Sequence, residues 1–132
     1  MEAIVNAKNL GISAKASVEI CNLIRNKPIE TAKKILERVI EKKQAVPYKR
    51  FNMEIPHRKG NIAAGKYPVK ASETILSLVK NAEANAENKG MSKNLTITHI
   101  SAHKGQKQSR YGRKVGKKAK RTNIKIIVQE KK

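Results

Sequence analysis

The residues whose type and spacing speak most directly to chemistry are nine Lys and Arg packed into KGQKQSRYGRKVGKKAKR, residues 104–121, together with three glycines, one aromatic and no acid. Cations at this density suit phosphates: each one displaces a condensed counterion, and Arg can bridge two oxygens at once. Apolar alternation precedes the segment from Leu95 to Ala102 and follows it from Ile124 to Val128. Between those arms there is too little apolar material for a separate core, while fixing the backbone costs about 1–2 kcal/mol per residue. A polyanion must supply the ordering energy. A disordered basic tail is the competing reading, but a tail has no reason to return to a β-forming run such as TNIKIIV. The segment reads as a hairpin finger made to be embedded in nucleic acid.

Other constellations fail on inspection. GNIAAGKY, Gly60–Tyr67, nearly matches the phosphate cradle G-x4-G-K-[ST]. Tyr67 replaces the small hydroxyl that would hold magnesium, Pro68 follows, and no hydrophobic strand precedes Gly60. The chain has no Asp, so the usual second magnesium ligand is missing too. The stretch reads instead as a loop whose Lys66 meets a backbone phosphate. His99 and His103 have ligand spacing for a helix, but on a strand four residues span ~13 Å, too far to share a metal. Cys21 falls in a helical register that makes it a small core residue rather than a nucleophile. Glu83 and Glu87 read as a solvated helix face, and Asn94-Leu95-Thr96 as an incidental match to a glycosylation acceptor. No active site emerges, and no metal or cofactor is called for.

The 132 residues suit one modest domain, with a body at 1–103 and 122–132 and the finger at about 104–121. With three Tyr, one Phe and no Trp, its core must be built from Ile, Leu, Val and Ala. The net charge of +20 points to nucleic acid or an anionic membrane surface. No apolar run approaches the ~18 residues of a membrane span, and no signal peptide opens the chain. A lone cysteine suits a reducing, intracellular compartment. The charge is uneven: residues 42–70 hold eight basic side chains and one acid, and 104–132 hold twelve and one. Residues 1–41 and 71–103 are close to neutral. Two neutral segments form the body, and two basic ones form its binding surface.

The elements that must position these cations follow from pattern. Ala3 to Lys8 alternate weakly, as a short strand. Ser13 caps a helix running to about Asn26, with Ser17, Ile20, Cys21 and Ile24 inward. Pro28 opens a second helix whose Ile29, Ala32, Ile35, Leu36, Val39 and Ile40 share a face, ending at Glu41-Lys42-Lys43. Residues 44–67 have no period and read as a long basic loop. Pro68 opens a third helix, with Ala71, Ile75, Leu78, Val79, Ala82 and Ala86 on one face and Gly90 just past its end. Strands at Leu95–Ala102 and Thr122–Glu130 flank the finger. The expectation is an α+β fold: a small antiparallel sheet packed on three helices, with a long protruding basic β-hairpin. Counted from Ile100 to Arg113, ~13 residues at about 3.3 Å give an arm of ~43 Å. That is several times the ~13 Å radius of gyration of a ~100-residue body.

YPVKASETILSLVKNAEANAENKG, Tyr67–Gly90, followed by LTITHISAHKG, closely resembles the universal large-subunit ribosomal protein twenty-two family in its archaeal and eukaryotic form. The resemblance extends to LGISAKASVEICNLIRNKPIETAKKILERVI, to VPYKRFN, HRKG and AAGKYPVKAS in the basic loop, and to TNIKIIVQE at the end. It implies a small body on the outer surface of the large subunit. It also implies a β-hairpin reaching through ribosomal RNA to the wall of the peptide exit tunnel. By position, Lys104, Arg110, Arg113, Lys117 and Arg121 match hairpin residues that are basic in the family and contact RNA. Lys107, Lys114, Lys118 and Lys120 add finger charge, and Lys49, Arg50, His57, Arg58, Lys59, Lys66 and Lys70 supply the second basic surface. Tyr111, Gly112, Arg113, Lys114, Val115 and Gly116 would form the tunnel-lining tip. The segment between Arg110 and Thr122 is a few residues shorter than the family pattern, and Gly112 stands where a proline-containing pair is usual.

The expected function is structural: a non-catalytic constituent of the large ribosomal subunit in the cytoplasm, binding large-subunit rRNA by charge neutralisation and shape fit. Its other partners would be neighbouring large-subunit proteins and the nascent polypeptide at the tunnel wall. Few aromatics argue against reading unstacked single-stranded bases. A DNA-compacting architectural protein is the alternative, separated by its preference for duplex DNA over structured ribosomal RNA at matched salt.

Overall fold

The computed structural model describes residues 1–130. Its strands are β1 (Glu2–Leu10), β2 (Val46–Pro47), β3 (Gly65–Lys66), β4 (Leu95–Lys104), β5 (Gln108–Ser109), β6 (Lys118–Ala119) and β7 (Thr122–Glu130). Its helices are α1 (Ala14–Ile24), α2 (Ile29–Ile40) and α3 (Val69–Asn88), with a 3-10 turn at Gly112–Lys114. The main sheet runs β1-β7-β4, antiparallel throughout, so the last strand is central and ties the two ends of the chain together. This is the expected α+β class.

The helices cover one face of the sheet: α1 packs on β4, α3 on β1 and β7, and α2 on α3. Between them lies an aliphatic core in which Ile20, Ile24, Leu36, Ile75, Val79, Ile97, Ile100 and Ile126 are fully buried. The amphipathic spacing of α2 puts Ile29, Ala32, Ile35, Leu36 and Val39 inside as expected, with Ile40 half-buried. Glu83 is not simply solvated, since it forms an ion pair with Lys33 that links α3 to α2. Gly90 follows α3 with φ +71°, the left-handed value its position requires.

Several boundaries differ from the sequence expectation, each for a local reason. α1 stops at Ile24 rather than Asn26, because Asn26 turns left-handed (φ 60°) and donates to Ile97 O at 2.9 Å. The chain there pairs with β4 instead of continuing the helix. Pro28 and Pro68 are the capping residues of α2 and α3, not their first helical positions. Pro28 is extended (ψ 145°) and bridges to Thr96. The basic loop at 44–67 is also more ordered than its lack of period suggested: β2 pairs with β3, and His57 bridges Ala64.

Two irregularities in β4 and beyond it shape the binding side. The register shift between Ile97 and His99 lets Ile97 and Ile100 both face the core, while His99 and His103 lie exposed on the strand. Past the sheet, pairing runs from Lys104↔Thr122 to Gln108↔Ala119. The outgoing arm advances four residues while the returning arm advances three. This extra residue interrupts the ladder where the hairpin leaves the body. Gly105 sits at the start of this interruption, and a Cβ there would lie 3.1 Å from Arg121 Cβ and 3.2 Å from its backbone carbon. Beyond Lys104 the outgoing arm needs eight residues to reach Gly112, ~26 Å at about 3.3 Å each when extended.

Candidate nucleic-acid interface

The finger is a hairpin with no interior. Arg110 N–H donates to Lys117 O at 2.9 Å, and Val115 N–H to Gly112 O at 3.1 Å, closing the tip over Gly112–Lys114. Every side chain from Gln106 to Lys118 is exposed. Tyr111 is 95% exposed and Val115 62%, so the tip presents its apolar groups to the surroundings rather than to the protein. Backbone bonds shape the finger, while burial contributes almost nothing to it. Its cations Arg110, Arg113, Lys114, Lys117 and Lys118 project from this ribbon with no carboxylate partner among the described residues.

At the finger's base the cations converge. Lys104, Lys107, Lys120 and Arg121 line a cleft of about 330 Å³ with Lys15 and Asn52. Arg121 is the half-buried member; its Nη2 donates to Gln108 Oε1 at 3.4 Å, and its Nε is buried without a protein partner. Arg50 and Lys104 line an adjoining cleft of about 560 Å³ with Lys15, Arg25, Phe51 and His103. Lys70 and Lys120 share a third with Pro68 and Gly11. The clefts share Lys15, Lys104 and Lys120, so they form one basic track around the foot of the hairpin.

Residues of the basic loop divide between this track and a separate patch. Lys49 and Arg50 are exposed, but their backbone N–H groups are bound from behind by Glu19, a carboxylate only 1% exposed. Arg58 Nε donates to Gly65 O at 3.1 Å and its guanidinium lies 5.3 Å from the Tyr67 ring centroid, so Arg58 braces the β2–β3 ribbon. His57, Lys59 and Lys66 are exposed on that ribbon and line none of the three clefts described above. The sequence expectation missed Lys15, Arg25, Phe51, Asn52 and His103. Lys15 and Arg25 lie in a segment whose total charge is close to neutral, which concealed that its cations share the finger's side.

No helix among the described residues is long and apolar enough to cross a membrane. Cys21 is buried at the back of the larger cleft, and burial pushes its thiol up to about 12. At neutral pH it is therefore a protonated packing group.

Comparison with known proteins gives one answer throughout. The chain is 48% identical over 103 residues to the large ribosomal subunit protein uL22 of Archaeoglobus fulgidus, covering 76% of this chain and 66% of that protein. It is 43% identical over 136 residues to the protein of the same name from Nanoarchaeum equitans, covering 96% and 77%. With that of Ignicoccus hospitalis it shares 40% over 130 residues, covering 90% and 82%. The match to the Archaeoglobus protein thus falls just short of two thirds of its length. The family model for ribosomal protein L22p/L17e matches residues 5–129, nearly the whole body and all of the finger, and the chain belongs to that family.

Proposed function

We propose that this chain is a structural constituent of the large ribosomal subunit, in the cytoplasm, where it binds large-subunit rRNA through the basic track and the finger. The carrying observation is a hairpin of exposed cations with no core, rooted in a cleft lined by Lys15, Lys104, Lys107, Lys120 and Arg121. Phosphates fit both features. Lys104, Lys107, Lys120 and Arg121 would anchor the RNA at the foot of the hairpin, and Arg110, Arg113, Lys114, Lys117 and Lys118 would track it outward. Lys70 extends the track, and Lys49, Arg50, His57, Arg58, Lys59 and Lys66 supply the second surface.

Tyr111, Gly112, Arg113, Lys114, Val115 and Gly116 would then reach the wall of the nascent-peptide tunnel. The exposed Tyr111 and Val115 support that role, since neither has a packing partner in the body to explain it. Neighbouring large-subunit proteins complete the set of partners. Sedimentation of a gentle cell lysate tests the assignment: the chain should travel with the large subunit and stay bound through moderate salt. The isolated chain should also prefer deproteinised ribosomal RNA to duplex DNA at matched salt. Migration apart from the subunit, or equal affinity for both nucleic acids, would contradict it.

A further inference from the structure

The larger cleft has a composition that phosphate binding alone does not require. It lies between one face of α1 along its length, the end of β4 and the turn at Arg50–Phe51, and measures about 560 Å³. That is within the range of about 300–1,000 Å³ for pockets that enclose small ligands. Phe51, the only Phe in the chain, lines it half-exposed, with Arg50 Cζ 5.2 Å and Lys15 Nζ 5.9 Å from its ring centroid. Arg25 is anchored at its wall by an Nη2 bond to Ile100 O at 3.1 Å. Asn22 offers an amide donor and acceptor, and His103 an imidazole. No carboxylate among the described residues lines the cleft. Glu19 accepts the N–H groups of residues 49–51 behind the turn and does not face the cleft.

We propose that this cleft receives a single extruded nucleotide of the bound RNA, its base stacked on Phe51 and its phosphate held by Lys15 and Arg50. The inference rests on the RNA-binding reading above and adds a base-recognition pocket to it. Lys15 sits at the outer limit of useful cation–π distance, about 6 Å, so an entering base displaces it at little cost and frees its ammonium for the phosphate. Asn22 and His103 then face the base edge. The adjoining cleft, shared through Lys15 and Lys104, receives the backbone on either side of the extruded residue. A lone aromatic is too little for a run of stacked bases and sufficient for one.

The test uses the full chain bound to deproteinised archaeal large-subunit rRNA. Irradiation of the unsubstituted complex should give a nucleotide adduct at Phe51, identified by mass spectrometry. Phe51→Leu should bind about tenfold more weakly or worse, the loss expected for one base–aromatic stack, with the salt slope unchanged. Phe51→Tyr should bind like the parent chain. If the parent binds with a steep salt slope but gives no adduct at Phe51, or if Phe51→Leu matches the parent, the pocket takes no base and only the phosphate reading survives. If the parent shows no steep salt dependence, the RNA-binding reading fails and takes this proposal with it. The adduct measurement needs no substitution, so a folding defect in a variant cannot mask the answer.

Discussion

Oε1 of Glu19 accepts the backbone N–H of Phe51 at 2.9 Å, joining the core side of α1 to the turn that carries the Phe51 ring into the cleft. The same oxygen accepts from Arg50 N at 2.8 Å, and Oε2 from Lys49 N at 3.3 Å. A buried carboxylate is tolerable only when its lone pairs are satisfied, and here three consecutive amides satisfy them. The turn is thereby fixed in a protein whose other basic surfaces are held mainly by backbone pairing. Acid and cations are separated by function: the carboxylate faces inward to position the turn, and Lys49 and Arg50 face outward.

Glu19→Gln should therefore destabilise the protein by about 1.5–3 kcal/mol, because charge-assisted bonds become neutral ones and the amide NH2 opposes backbone donors. Denaturant melts measure the loss. Amide exchange should speed up at Lys49, Arg50 and Phe51 more than in β7. Unchanged exchange at these three positions would show that the turn is held by something else.

Binding of rRNA should weaken steeply with salt. If six of the cations displace ions, log K against log salt should fall with a slope of about −4 to −5, from ~0.7–0.9 per phosphate. Lys107→Ala should make that slope shallower by roughly one contact, whereas Lys125→Ala, on the sheet away from the three clefts, should leave it unchanged. A parent slope near −1 would refute phosphate neutralisation as the main source of affinity.

In the absence of RNA, amides between Gln106 and Ala119 should exchange rapidly while those of Ile124–Val128 are protected. The β5–β6 pairing is four residues of exposed ladder with no buried side chain, and a two-stranded ribbon alone is marginal in water. Strong protection of the finger before RNA is added would mean that it carries stability of its own.

Cys21 gives a pH signature. Its thiol is held at about 12 against the ordinary 9.0, chiefly by burial, with Arg25 opposing the shift. Tyr48 is raised for the same first reason, with Glu19 adding to it. For both groups the folded state keeps the proton longer than the unfolded one. The stabilisation is complete below the unfolded pKa and is lost as pH rises through the folded one, so for Cys21 it declines between 9.0 and about 12. Cys21→Ala should flatten that decline, and thiol reagents at neutral pH should label the folded parent only at the rate at which it opens.

The body was legible because its signals are periodic. Ile29, Ala32, Ile35, Leu36 and Val39 repeat at helical spacing and are all buried. TNIKIIVQE reads as a strand and is the central one. Glu19 was not legible, since its reason for being buried lies thirty residues away in the backbone of a loop. The basic track was legible only in part. Counting charge by segment found Lys104 to Arg121 but overlooked Lys15 and Arg25, whose cations gain meaning only when α1 is laid against β4. The break in the finger's ladder is likewise a matter of register, set by one extra residue that no composition reveals.

That register decides how the finger should be removed. Lys104↔Thr122 is the last rung of the sheet, and Gly105 N–H donates to Arg121 O at 2.8 Å just beyond it. Deleting Gln106–Lys120 and joining Gly105 to Arg121 through Asn-Gly places a two-residue turn on the existing register. Stopping the deletion at Ala119 would leave one residue too many and slip the arms. The shortened protein should fold, since the core of the body draws nothing from the excised residues. It should still enter the large subunit through Lys15, Arg50, Lys104 and the ribbon at 44–67, with reduced affinity and a shallower salt slope. Density at the tunnel wall should then show a gap where Tyr111–Gly116 had been. If the shortened chain is incorporated and the wall is unchanged, the tip does not line the tunnel, and the exposed Tyr111 and Val115 serve the RNA alone.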